Sequence, residues 1–254
     1  MFHGSPHRRR AVFQLQLLSN PGDLDRANLT YLGDSTGIIN LTTMSGNWST
    51  GGVVYPQPVR LWDHRTGRRA SFTTDFSFAI SVSETWNRGD GMAFFIGASR
   101  LEPPPESKGG FLGLISNSTN AGGGPPPLST VGVEFDTNRN AWDPPEAVDH
   151  FGIDVNNITS VAVYKSLGKD FPNPLMSASV KYDGSSKILS VSLRLANGTV
   201  CDLQTPVDLK AEGVPQYATV GSAFRRPPAI KSSRTNSSLG PSVQQIHQSS
   251  NSGS

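Results

Sequence analysis

A pair of carboxylates on one short segment provides the first chemistry in this sequence. Glu134 and Asp136 alternate with the apolar residues of Val131–Phe135, a pattern that predicts a β-strand. On a strand these two side chains point to the same face and lie close together. Because like charges at short distance repel each other, the pair predicts a bound cation.

The residues that follow can complete a metal site. Asn140 offers an amide oxygen, Asp143 a further carboxylate, and His150, at the start of the next predicted strand, an imidazole nitrogen. Taken singly, Asp143 before a proline suits a turn and His150 suits a buried strand. Together with the carboxylate pair they favour a metal. Oxygen-rich ligands suit Ca²⁺, whereas three carboxylates and a histidine suit a transition ion such as Mn²⁺, and two ions could share Asp136 and Asp143.

Period-two alternation of apolar residues predicts the strands that position these ligands. The clearest run is Ala70–Ile80, and Asp183-Gly184 predicts a hairpin turn. Further strands are predicted at 12–17, 131–135, 178–182 and 189–195. No segment has a clear helical period. We therefore expect an all-β protein, a sandwich or jelly roll of two sheets.

The composition excludes several classes of protein. Of the 254 residues, 26 are Gly and 19 are Pro, which disfavours helical bundles. A net charge of +2 gives no strong field for binding nucleic acid, and no apolar stretch approaches the roughly 20 residues of a membrane span. The single Cys201 excludes an intrachain disulfide framework and a zinc site built from several cysteines.

The two ends of the chain differ from its middle. Residues 1–11 form a basic segment without a clear signal peptide, because Gln14 and Gln16 interrupt the apolar run that follows. Residues 224–254 are rich in Ser and Pro, cannot bury a core, and are expected to be a disordered tail. The predicted domain is 12–223. Seven glycosylation sequons nevertheless favour the secretory pathway or the cell exterior: Asn28, Asn40, Asn47, Asn117, Asn157, Asn197 and Asn236.

Several motifs in this order resemble the legume-type (L-type) lectins, most closely the lectin ectodomains of grass receptor-like kinases. One is the metal segment 131–154. The others are Leu61-Trp62-Asp63, Ala70–Thr73, Asp90–Phe95 and Gly109–Leu114. The resemblance covers 13–223 and implies a concanavalin-like jelly-roll sandwich of two antiparallel sheets.

The resemblance also implies the roles of individual residues. The transition ion, Mn²⁺, would be held by Glu134, Asp136, Asp143 and His150. Ca²⁺ would be held by Asp136, the backbone carbonyl of Asn138, Asn140 and Asp143. Ser160 matches a serine that contacts a metal-bound water. The sugar would be bound by the Asp90 carboxylate, the backbone N–H of Gly110 and the Asn140 amide.

The sequence departs from the family pattern at two places. Asn138 stands where an aromatic residue commonly stacks on the sugar ring, and 224–254 replaces the last specificity loop and final strand. We therefore expect a jelly roll that lacks the last strand and a divergent C-terminal end. The leading interpretation is a non-catalytic module that binds glycans or glycoproteins with Ca²⁺ and Mn²⁺, with a homodimer as a possible assembly.

Two alternatives stay open. A structural or regulatory protein that has kept the fold and lost sugar binding would explain both Asn138 and the divergent end. A jelly-roll glycoside hydrolase would need a third carboxylate where the series Glu134-x-Asp136-x-Asn138 ends. Because the two remaining carboxylates are better used on a metal, the hydrolase is the less favoured alternative.

Overall fold

The computed structural model describes residues 11–12, 30–32, 38–40, 49–54, 58–80, 90–98, 104–117, 129–165, 167–168, 171, 175–226 and 245–247. Over these residues the chain forms strands, turns and one 3-10 turn at Gly109–Phe111. The strands are β1 Ala11–Val12, β2 Thr30–Leu32, β3 Ile38–Asn40, β4 Ser49–Val54, β5 Val59–Arg60, β6 Phe72–Ala79, β7 Gly91–Gly97, β8 Thr130–Asp136, β9 His150–Val155, β10 Ala162–Lys165, β11 Met176–Asp183, β12 Ile188–Arg194, β13 Val200–Pro206, β14 Tyr217–Arg226 and β15 Gln245–His247.

These strands form two sheets. The back sheet has the order β13-β12-β11-β6-β15-β3-β2, and β1 lies parallel to β6. The front sheet has the order β10-β9-β8-β7-β14-β4, and β5 pairs with β14. Apart from the β1 pairing, neighbouring strands are antiparallel, as the sequence predicts.

The core lies between the two sheets. Phe76 of β6 stacks on Phe94 of β7 with ring centroids 5.9 Å apart, and Phe78 packs against Phe135 of β8 at 4.7 Å. Burying each aromatic ring removes apolar area from water, and this burial is the main force that holds the sheets together. The same contact fixes which face of β8 points outward, and that face contains Glu134 and Asp136.

The outer face of the front sheet is covered as well. Leu112, Leu114 and Ile115, from the segment 104–117, pack on Ala93 and Phe95 of β7 in a second buried cluster. As a result, all seven residues of β7 and all seven residues of β8 are buried. A strand buried on both faces has no reason to alternate, which is why β7 was not predicted as a strand.

The predicted strands at 70–80, 131–135, 178–182 and 189–195 are confirmed by β6, β8, β11 and β12. The predicted hairpin is confirmed too, since β11 and β12 pair up to Asp183 and Ile188. The Asp183 carboxylate caps the turn by accepting the backbone N–H groups of Ser185 and Ser186. Of the strand predicted at 12–17, only Val12 lies among the described residues, in β1.

The C-terminal end corrects one expectation. β14 continues to Arg226, beyond the predicted boundary at 223, and β15 pairs with both β3 and β6 in the back sheet. The last strand is therefore not missing. Ser-rich composition argues against a buried core, but a strand also forms through backbone hydrogen bonds, which composition does not reveal. Residues 227–244 and 248–254 of the expected tail lie outside the described residues.

Candidate metal and glycan site

The pairing of β8 with β9 assembles the first three candidate ligands. Asp136 lies opposite His150 and Glu134 opposite Gly152, so Glu134, Asp136 and His150 share the outer face of the front sheet. All three are fully buried, and one ligand atom from each lies within 4.8 Å of the others. The sequence predicted this convergence from the spacing of the residues, and the structure brings them together.

The loop after β8 adds Asp143 to the cluster. His150 Nε2 lies 3.8 Å from Asp143 Oδ1 and 3.3 Å from Glu134 Oε1. Asp143 Oδ2 accepts the backbone N–H of Asn140 at 2.5 Å, which closes the loop around the site. Further along, the Arg139 side chain donates to the Pro145 carbonyl, and Lys165 forms an ion pair with Glu146.

Polar atoms of Asp136, Asn138 and Asn140 converge beside this cluster. The Asn138 backbone N–H donates to Asp136 Oδ1 at 2.6 Å. The Asn140 amide nitrogen lies 3.2 Å from the Asn138 carbonyl oxygen and 3.4 Å from Asp136 Oδ2. These two oxygens and the end of the Asn140 side chain are, with Asp143, the groups predicted for Ca²⁺. The Asn138 side chain itself is exposed.

The electrostatics of the cluster are those of an anionic site without a protein cation. Burial, together with the Glu134 carboxylate, raises the pKa of Asp136 well above its usual range, and burial also raises the pKa of Asp143. Burial acts to lower the pKa of His150, but Glu134 and Asp143 outweigh it and raise that pKa. The shifts of the two aspartates report mainly their burial, and the shift of His150 reports the carboxylates around it.

Among the described residues, Glu134 Oε2 and both ring nitrogens of His150 make no well-formed hydrogen bond. All three atoms are deeply buried, and His150 Nε2 has only the contact with Glu134 Oε1 at 3.3 Å and the longer one with Asp143. A buried polar atom without a partner costs about 1 to 3 kcal/mol, and a cation would supply the missing partner. Three carboxylates, an imidazole and an amide are also the donor set that Mn²⁺ and Ca²⁺ prefer. The residues present therefore fit a metal site.

The three predicted sugar-binding residues also lie together, next to this site. The backbone carbonyl of Asp90 accepts the Thr137 backbone N–H at 2.9 Å. Thr137 is the first residue of the metal loop, which comprises residues 137–149 between β8 and β9. Gly110 lies so close to Asn140 that a Cβ atom at position 110 would overlap the Asn140 side chain. Gly109, in turn, lies beside the Asp90 carboxylate. A carboxylate, a backbone donor and an amide can bind vicinal hydroxyls of a sugar.

The segment that carries Gly110 is held in place by burial. Leu112 adopts a left-handed conformation, with φ of 49°, although its side chain is completely buried. Such a conformation is unfavourable for a branched residue and persists only where packing enforces it. Phe111 adds a contact with Trp142 of the metal loop, with ring centroids 4.9 Å apart. The two loops therefore support each other.

One acidic residue of the site received no role in the sequence analysis. The Ser160 hydroxyl lies 2.5 Å from Glu134 Oε1 and 2.6 Å from Oδ1 of Asp154, which is buried on β9. Burial, with the Glu134 charge, raises the pKa of Asp154 well above its usual range. The signal was present in the sequence, because Asp154 follows His150 by four residues and so shares its face of the strand.

Fold and site together define a two-sheet sandwich, in which the front sheet and the loop after β8 enclose a cluster of residues that could hold a metal. Comparison with known proteins identifies which sandwich it is. The family model described as Legume lectin domain matches residues 16–223, and the chain belongs to the legume lectin family.

Individual relatives agree with this placement. The chain is 38% identical over 208 residues to a lectin of Erythrina corallodendron, covering 76% of this chain and 69% of that protein. It is 38% identical to the galactose-binding lectin of Arachis hypogaea, covering 76% and 67%. The solved structure of basic winged bean lectin with Tn-antigen has a TM-score of 0.71 at 30% identity, covering 87% of both chains.

These comparisons confirm the jelly-roll fold and support a carbohydrate-binding lectin. The relatives are lectins, which are not enzymes, and legume lectins bind metal ions. The finer resemblance to receptor kinase ectodomains of grasses stays a prediction. Within the described residues, no helix is long and apolar enough to cross a membrane.

Proposed function

We propose that this chain is a non-catalytic lectin module that binds glycans and depends on Ca²⁺ and Mn²⁺. The observation that supports the proposal most directly is the proximity of two sites. The buried cluster of Glu134, Asp136 and His150 lies beside the trio of Asp90, Gly110 and Asn140. Asn140 connects the two, since its amide nitrogen lies 3.4 Å from Asp136 Oδ2.

Each metal would have its own set of ligands. Mn²⁺ would be held by Glu134, Asp136, Asp143 and His150, and Ca²⁺ by Asp136, the Asn138 carbonyl, Asn140 and Asp143. A bound cation neutralises carboxylates that otherwise repel each other across the site. The chain's own residues then act on the sugar, because fixing Asn140 presents its amide, with the Asp90 carboxylate, to sugar hydroxyls.

Galactose is the first sugar to test. A galactose-binding lectin is among the relatives, and a further relative has a solved structure with Tn-antigen. The experiment is a glycan array that includes galactosides, probed with Ca²⁺ and Mn²⁺ present and again after chelation. We expect binding that chelation abolishes.

Two matched variants test the site within the same experiment. Asp90→Asn should weaken glycan binding by about tenfold or more, because a charged acceptor for sugar hydroxyls is lost. Asp75→Asn makes the same change at an exposed position of β6 in the back sheet and should bind like the parent. Equal binding by the parent and Asp90→Asn would contradict the assignment of the sugar site.

A second candidate function is a lectin-like structural or regulatory protein that binds metal without sugar. It is favoured by Asn138, which places an exposed polar side chain where a stacking ring would otherwise be expected. If the folded, metal-loaded chain bound no glycan on the array, the result would support this candidate. A β-glucanase assay of the parent against Glu134→Gln tests the less favoured hydrolase, and we expect no activity in either.

Location and assembly belong to the same proposal. We infer an extracellular or secretory location and a possible homodimer, which size-exclusion chromatography of the metal-loaded chain would test. Three sequon asparagines are exposed among the described residues: Asn117, Asn157 and Asn197. Asn28, Asn47 and Asn236, and the side chain of Asn40, lie outside the described residues.

A further inference from the structure

On the outer face of the β8–β9 pair, glycines lie opposite carboxylates and leave room beside them. Two of its three cross-strand pairs join a carboxylate to a glycine, with Glu134 opposite Gly152 and Asp154 opposite Gly132. Glu134 and Asp154 are therefore diagonal neighbours, and such residues stand about 7 to 8 Å apart across a sheet.

The Ser160 hydroxyl bridges this diagonal, at 2.5 Å from Glu134 Oε1 and 2.6 Å from Asp154 Oδ1. Gly152 provides the room. A Cβ atom at position 152 would overlap the Ser160 hydroxyl and approach Glu134 Oε1 to 2.7 Å. Ser160 is held from behind, since the next residue, Val161, donates its backbone N–H to the Ile153 carbonyl at 2.8 Å.

We propose that Asp154 is a positioning residue for the metal site: through the Ser160 hydroxyl it orients the Glu134 carboxylate. Asp154 holds Ser160 Oγ, and the one proton of the Ser160 hydroxyl is donated to Glu134 Oε1. The other oxygen, Glu134 Oε2, is buried, has no hydrogen-bond partner among the described residues, and remains available to the cation. This inference rests on the proposed metal dependence and names residues that control it without binding the metal themselves.

A purely structural role makes different predictions. If Asp154 and Ser160 only stabilised the turn between β9 and β10, their loss would lower the stability of the metal-free chain and leave metal affinity unchanged. A positioning role lowers metal affinity in a chain that remains folded. Groups that orient metal ligands typically contribute about 10- to 100-fold to affinity.

The test measures Mn²⁺ binding to the chelated and repurified chain, using electron paramagnetic resonance of free Mn²⁺. We expect Ser160→Ala and Asp154→Ala each to weaken binding by about tenfold. The double variant should lose no more than either single variant, because both act through one chain of hydrogen bonds. Asp154→Asn should retain most of the affinity, since its amide N–H can donate to Ser160 Oγ and leaves the hydroxyl proton for Glu134.

Controls separate this inference from the proposed function. Asp75→Ala removes an exposed carboxylate from the back sheet and should bind Mn²⁺ like the parent. Thermal unfolding in chelator measures any effect on stability separately. If Asp154→Ala does not fold, the single variants Ser160→Ala and Asp154→Asn complete the test. A parent that binds no Mn²⁺ overturns the proposed metal dependence, and the inference falls with it. A parent that binds Mn²⁺ with all variants unchanged, or a double variant with additive losses, overturns the inference alone.

Discussion

The outer faces of the two sheets are built differently. In the back sheet, β6 alternates between buried and accessible residues, and Asp75 on its outer face is exposed. In the front sheet, β7 and β8 are buried along their whole length, because segment 104–117 and the metal loop cover them. The comparison shows that Glu134 and Asp136 are buried by covering loops and not by the strands alone.

The carboxylates of the molecule differ in the same way. Beside the back sheet, Lys187 and Arg69 lie 2.7 Å and 3.1 Å from Asp208 Oδ2, and the Lys187 hydrogen bond in particular lowers the pKa of Asp208 to about 2. Burial raises the pKa of Asp136, and its neighbour Glu134 adds to the rise. Asp208 is paired with a lysine and an arginine, whereas the carboxylates of the front-sheet cluster lie beside His150 and beside one another.

The largest expected loss of stability follows damage to the hydrophobic core between the two sheets. Phe135 is fully buried and contacts the rings of Phe76, Phe78 and Phe151. Phe135→Ala should lower the free energy of unfolding by about 3 to 5 kcal/mol, measured by urea denaturation of the metal-loaded chain. Val161→Ala, at an exposed position, should change it by less than about 0.5 kcal/mol. Similar losses in the two variants would contradict the assignment of the core.

A smaller loss of stability should follow damage to the cover of the front sheet. Leu114 is 1% exposed and lies over Gly132 of β8. Leu114→Ala should cost about 2 to 3 kcal/mol, the lower part of the usual range, because a loop can partly collapse into the cavity. Unlike Phe135→Ala, it should weaken glycan binding even in urea-free buffer where the chain is folded. Unchanged glycan affinity would show that the cover does not position Gly110.

The contact between the two loops of the site can be tested by adding a single methyl group. In Gly110→Ala the new Cβ would displace the Asn140 amide, so glycan affinity should fall by about tenfold, or 1.4 kcal/mol, in isothermal titration. Gly67→Ala is the control, because Gly67 has a positive φ and no atom near its Cβ position. It should cost about 1 to 2 kcal/mol of stability, because alanine disfavours a positive φ, and leave glycan affinity unchanged. Loss of affinity in the control as well would point to a general effect on folding.

The two sheets also differ in how well the sequence predicts them. The accessible back sheet produces period-two patterns, and β6, β11 and β12 were predicted from them. The covered front sheet produces a continuous apolar run in β7, which has no such period. Long-range backbone pairing, as in β15, leaves no compositional trace at all.

The candidate site was predictable where ligands are close along the chain. Spacing alone brought together Glu134, Asp136 and His150, because strand geometry fixes their face. Asp90 and Gly110 came from the resemblance, since contacts between distant loops depend on tertiary packing. The bridge from Ser160 to Asp154 required the structure, because a glycine on the neighbouring residue pair creates the space for it.

The smallest expected effect is on the back-sheet side of the comparison. Asp208→Asn removes the charge that pairs with Lys187 and Arg69, and because these groups are partly exposed the loss should stay near about 1 kcal/mol or below. The pKa of Asp208 is about 2 in the folded chain and 3.8 for an ordinary aspartate. Its stabilising effect is therefore present above pH 3.8 and disappears as the pH falls toward the folded-state pKa. Urea denaturation of parent and variant should therefore differ at neutral pH and converge in acid. Since the ion pairs of Asp208 do not involve the metal site, chelation should leave the difference in free energy of unfolding between parent and variant unchanged. A difference that changed on chelation would mean that the two sheets are coupled.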